Sequence, residues 1–154
     1  MICFRARRAF PVLCETFTGM ETRFTLPEEL AAGAVISGNE YGWPLSLFPE
    51  TARCAEALGY ACLGGQFQFL TPVGTCEMYW LAADSSDRKS TESWDSYCRR
   101  SNAEVLDKFS TIVSETDFLA EAAKWEVLEV EIERGLDVLA TLVFVAYFVT
   151  EKEC

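Results

Sequence analysis

The chain has 154 residues, half of them hydrophobic and 13% aromatic, which is enough to bury a core and excludes wholesale disorder. A formal charge of −11 repels phosphate backbones, so nucleic acid is excluded as the expected ligand and a basic partner or plain solubility is favoured. Histidine is absent, and with it go the commonest general base, the commonest metal ligand and every His-dependent triad.

The seven cysteines (Cys3, Cys14, Cys54, Cys62, Cys76, Cys98 and Cys154) are odd in number and form no CxxC. That usage predicts reduced, mostly buried thiols in a cytoplasmic protein, with neither a disulfide framework nor a zinc site. Residues 1–13 alternate Arg and apolar side chains and predict an edge strand. The Arg-rich start resembles a leader, but its apolar part is short, Pro11 interrupts it, and Leu13 is too large to precede a cleavage site. Residues 16–26 predict a second strand ended by Pro27, and residues 28–32 a helical turn after it. Residues 38–49 predict a loop whose aromatics, Tyr41 and Trp43, either plug the core or form a contact surface.

Pro49 suits a helix start, with residues 50–58 following and Gly59 as the stop. Residues 66–71 and 76–81 then predict a β-hairpin with Phe67 opposite Trp80, Phe69 opposite Met78 and Thr71 opposite Cys76. That register sends Phe67, Phe69, Met78 and Trp80 into the core and leaves Gln66, Gln68, Leu70, Glu77, Tyr79 and Leu81 on the other face. The preceding Gly64-Gly65 step lacks any phosphate-loop pattern and is expected to serve the turn before the hairpin. After a polar loop at 84–90, Trp94, Cys98, Val105, Phe109 and Ile112 form the stripe of a long helix over about 91–113. Asp95 with Arg99 and Glu104 with Lys108 are i,i+4 pairs on its surface. Asp117 or its neighbours cap a short helix reaching Trp125.

Leu128, Val130 and Ile132 alternate with Glu129, Glu131 and Glu133, which predicts a strand with an acidic face. Residues 134–137 turn the chain into 138–149, a run apolar on both sides and rich in β-branched residues. It predicts a strand buried on both faces, although periodicity leaves a buried helix open. Asp137 and Glu151 close it short of the roughly 20 residues of a membrane span. The whole predicts a single α+β domain over 1–154, with a largely antiparallel sheet carrying a long helix and one or two shorter ones.

Three stretches are candidates for function. The outward hairpin face, Gln66, Gln68, Glu77 and Tyr79, continues into Asp84 and Asp87 and offers a recognition surface or an ordinary solvent face. Residues 92–97 hold carboxylates that the helix dipole already explains, with Tyr97 lying off the apolar stripe. Glu129 and Glu131, with Glu133, either protect a sheet edge or meet a basic partner. No cofactor or metal motif is present, and catalysis without histidine would need a carboxylate pair converging in a cleft.

The hairpin Gly64-Gly65-Gln66-Phe67-Gln68-Phe69 to Glu77-Met78-Tyr79-Trp80-Leu81, followed by Glu92-Ser93-Trp94 opening a helix in a small acidic chain, resembles bacterial immunity proteins. The resemblance implies an acidic surface that binds a basic, often nuclease, toxin domain and occludes its active site, and no catalytic activity of the chain's own is expected. A small-ligand-sensing or regulatory domain is the alternative, and an internal pocket would favour it.

Overall fold

The computed structural model describes residues 25–154, so the expected strand over 1–13 and most of that over 16–26 lie outside the described residues. Pro27 precedes helix α1 (Glu28–Ala31), as expected. Within the expected loop over 38–49, residues 40–44 form strand β2 (Glu40–Pro44), which pairs antiparallel around Gly38 with the preceding β1 (Val35–Ser37), and residues 48–49 open the next helix. Gly38 has φ +61°, a turn conformation that suits glycine and lets β2 reach the sheet. Trp43 is the plug, fully buried against Phe48 and Phe148, and Tyr41 stacks beside it.

Helix α2 (Phe48–Ala57) has a proline in its first turn and ends before Gly59, at φ +77°. Strands β3 (Ala61–Thr71) and β4 (Gly74–Asp84) form the hairpin around the two-residue turn Pro72-Val73. The register is two residues tighter than expected: Thr71 faces Gly74, Phe69 faces Cys76 and Phe67 faces Met78. A shift of two preserves the faces, so Phe67, Phe69 and Met78 are all buried. Beyond Phe67 the ladder breaks, and pairing resumes at Gln66 with Ala82. Tyr79, Trp80 and Leu81 are therefore extra residues on β4, and a bulge re-aims the side chains it carries. Trp80, expected in the core, is 42% exposed for this reason.

Helix α3 (Trp94–Glu115) is capped by Ser93, whose side chain accepts from the Ser96 N–H, and it lies across β3 and β4. Cys98, Val105 and Phe109 of the expected stripe are buried, and so is Tyr97, which joins Ala61 and Cys98 in a small apolar cluster. The expected i,i+4 pairs are replaced by other partners: Arg99 reaches Glu56 and Glu104 reaches Arg100. Asp117 caps α4 (Phe118–Ala122) by accepting from the Leu119 and Ala120 N–H groups.

Residues 128–133 do not form the expected strand. They belong to α5 (Glu126–Glu133), in which Leu128 is buried while Val130 and Ile132 are partly exposed. Glutamate is a good helix former, and Glu126 and Glu129 in the first turn complement the helix dipole, which outweighs a six-residue alternation. The expected strand over 138–149 loses its first four residues to a 3-10 turn, Val138–Thr141, where Asp137 accepts from the Ala140 N–H and the Thr141 hydroxyl donates to the Val138 carbonyl.

The remainder is β5 (Leu142–Val149), which pairs with β2 on one side and β3 on the other. Among the described residues every strand pair is antiparallel, in the order β1-β2-β5-β3-β4, and the fold is α+β as expected. Phe144 points toward the helices and Val143 and Val145 to the other face, all buried. Gly64 and Gly65 lie within β3 rather than in a turn before it. A Cβ at Gly65 would run into the Val145 carbonyl and sit 2.7 Å from two Phe144 ring carbons. Gly65→Ala is thus expected to cost about 1–3 kcal/mol in urea unfolding, as overpacked cores do. A cost near zero would show that the strands can move apart.

Candidate functional site

The bulged edge of β4 meets α4 and the start of α5, and there, among the described residues, the exposed aromatics gather. The Trp80 indole N–H donates to Oε2 of Glu121, on α4, at 2.9 Å. Trp80 lies face to face with Trp125 at 6.1 Å between centroids, while Tyr79 meets it edge-on at 5.0 Å. Lys124 Nζ is 5.6 Å from the Trp80 ring and 2.8 Å from both oxygens of Glu121. The Lys124 ammonium holds the Glu121 carboxyl below its usual range, with burial opposing and the Trp80 N–H assisting. Tyr79 is 56% exposed, and Leu119, on the same short helix as Glu121, is as open. Exposed large aromatics in fixed positions mark contact surfaces more often than scattered aliphatic residues do.

The surroundings are acidic. Residues 115–137 hold eight carboxylates against two basic residues, Lys124 and Arg134. Of the expected acidic ladder, Glu129 is exposed on α5, whereas Glu131 is tied to Arg134 at 2.9 Å. In a helix these acids no longer line one side of a strand, so the edge-protection reading of Glu129 and Glu131 falls away.

The outward hairpin face divides. Tyr79 belongs to the aromatic surface just described. Gln66, Gln68 and Glu77 lie on the sheet face that carries Val143 and Val145. Gln68, expected toward solvent, is only 1% exposed, and Gln66 and Glu77 are half-buried. Asp84 ends β4 opposite Gly64 and is half-buried, whereas Asp87 is exposed and its carbonyl accepts from Arg100. The structure therefore does not bring the six residues onto one open surface. Trp80 is what the sequence reading missed, because no residue type announces a three-residue bulge.

The second candidate stretch is a clamp. Arg100 donates to both oxygens of Glu92 at 2.8 Å, to Glu104 at 2.9 Å and to the Ser86 hydroxyl at 2.8 Å. The Ser86 and Lys89 N–H groups donate to Glu104 and Glu92, so the loop after β4 is fastened to α3. Arg100 first, and the Lys89 N–H after it, hold Glu92 at about 2, against an ordinary 4.5. A carboxyl held low in the folded state contributes stability above pH 4.5 that is lost as pH falls toward 2. Glu92→Gln is expected to lower Tm at pH 7, with the gap to the parent closing across that window. A gap that stays constant with pH would show that the carboxylate charge is not what fastens the loop.

Among the described residues, Cys54, Cys62, Cys76, Cys98 and Cys154 are free thiols, of which Cys154 is exposed. Burial pushes Cys62 up to about 12 and Cys98 to about 11, which keeps both protonated and unreactive at neutral pH. No three His, Cys, Asp or Glu side chains among the described residues gather as a metal site, and no described helix is long and apolar enough to cross a membrane. A cleft of about 270 Å³ opens beside the end of β5, lined by Leu26, Tyr41, Leu63, Tyr147, Phe148 and Val149. At its rim the Tyr147 hydroxyl donates to Glu40 at 2.8 Å. Comparison with family models, with curated proteins and with solved structures yields no match.

Proposed function

We propose that this protein is a non-catalytic protein-binding module of the immunity type, acting in the cytoplasm and taking up a basic toxin domain on its acidic surface. The observation that carries the reading is the exposed Trp80, held between Glu121 and Trp125 in the part of the chain richest in carboxylates. Binding energy at protein interfaces concentrates in a few residues, among which tryptophan and tyrosine are enriched. Acids around them steer a basic partner and raise its association rate. The toxin-directed part of the reading is supported by the class resemblance of residues 64–81 and 92–94.

The test is affinity capture from the source cells with the tagged chain, at low and high salt. A basic protein should be recovered at low salt and less at high salt, and Glu126→Lys with Glu129→Lys should lose it. Equal recovery by the parent and the charge-reversed variant would overturn the assignment of the surface.

The cleft beside β5 favours a second reading, a small-ligand-sensing domain, since its size and largely apolar walls suit a small molecule. Native mass spectrometry of protein purified from its own cells decides this. A retained ligand released by Leu63→Trp would support sensing, and a bare mass would count against it.

A further inference from the structure

The surface around Trp80 already holds a cation, and the cation is the chain's own. Lys124 lies over the Trp80 ring and donates to Glu121, while the indole N–H orients that same carboxylate. The Glu121 side chain is only 15% exposed, so the carboxylate is held in place rather than free to swing. The hold on Lys124 is weaker: its side chain is 57% exposed, in an i,i+3 surface pair that water and salt screen. Lysine meets such a site as a point charge. A guanidinium is planar, lies flat on an indole, and presents two parallel N–H groups to a carboxylate.

We propose that Trp80, Glu121 and Lys124 form an arginine-recognition site, in which a partner's guanidinium stacks on Trp80, pairs with Glu121 and displaces Lys124. The inference rests on the protein-binding reading and names the side chain a partner brings as its anchor. Lys124 then acts as an internal placeholder: it keeps Glu121 from standing uncompensated next to the ring until the partner arrives. The excess of carboxylates in residues 115–137 draws the cation in, and the indole face selects arginine over lysine.

The experiment titrates a tetra-arginine peptide, with tetra-lysine as the equal-charge control, into the full chain labelled with nitrogen-15. The Trp80 indole N–H signal, identified with Trp80→Phe, is the readout. Tetra-arginine should shift it saturably and bind at least about threefold more tightly than tetra-lysine. Lys124→Ala should tighten tetra-arginine by more than it tightens tetra-lysine, and Glu121→Gln should weaken tetra-arginine by roughly tenfold. Equal affinities for the two peptides, an unmoved Trp80 signal, or weaker arginine binding by Lys124→Ala would each overturn the proposal. The titration needs no natural partner, so its failure leaves the capture experiment standing. Conversely, failed capture leaves the peptide result to be read alone.

Discussion

Phe144→Ala is expected to remove about 3–5 kcal/mol of stability, a large share of the roughly 5–15 kcal/mol that holds a folded domain together. The ring sits at the centre of the fold, with Phe48 at 4.5 Å, Phe67 at 4.9 Å and Phe109 at 5.1 Å between centroids. These four rings come from β5, α2, β3 and α3, so one side chain ties the central strand to two helices and to the hairpin. Phe48 and Phe109 also contact each other, as do Phe67 and Phe109, which leaves the neighbours little room to close a void. Urea unfolding followed by circular dichroism measures the loss. A cost under about 1 kcal/mol would mean that the core collapses into the gap and that Phe144 is not its centre.

Trp80→Ala is expected to weaken partner binding by about 2 kcal/mol or more, roughly thirtyfold in Kd, while changing the fold little. Trp80 lies on a bulge outside the pairing of β3 with β4, and nearly half of it is open to solvent. Its contacts with Glu121, Trp125 and Lys124 join β4 to the α4–α5 region, so some loss of Tm is expected too. The two effects separate on comparing Kd, measured by calorimetry, with circular dichroism of the free variant. Trp80→Phe should keep part of the stacking yet lose the N–H that orients Glu121, and so fall between parent and alanine. An unchanged Kd for Trp80→Ala would remove this surface from the interface.

How far the sequence foretells this molecule depends on whether local patterning or tertiary pairing decides each element. Residues 142–149 are legible because β-branched and aromatic residues on both faces have one good home, the middle of a sheet. Helix α3 is legible because its stripe persists over several turns. Residues 128–133 mislead because six alternating residues fit a strand, while in α5 only Leu128 needs burial. Residues 38–44 mislead in the opposite sense: the turn residues Gly38, Asn39 and Gly42 hide β2, which is held between β5 and the short β1. The hairpin shows both behaviours. Alternation places Phe67, Phe69 and Met78 correctly, and the bulge after Met78 cannot be read from residue types. The candidate site falls there. Its acids are visible in composition and alternation turns Tyr79 outward, but the same alternation sends its central tryptophan into the core.

The most direct test of the central claim is amide hydrogen exchange of the chain, free and bound to the protein it captures. Protection on binding should appear at residues 79–81 and 119–129, the β4 bulge and the α4–α5 junction, with the far edge at β1 unchanged. Protection confined to other elements, with exchange at 79–81 and 119–129 the same in both states, would contradict it.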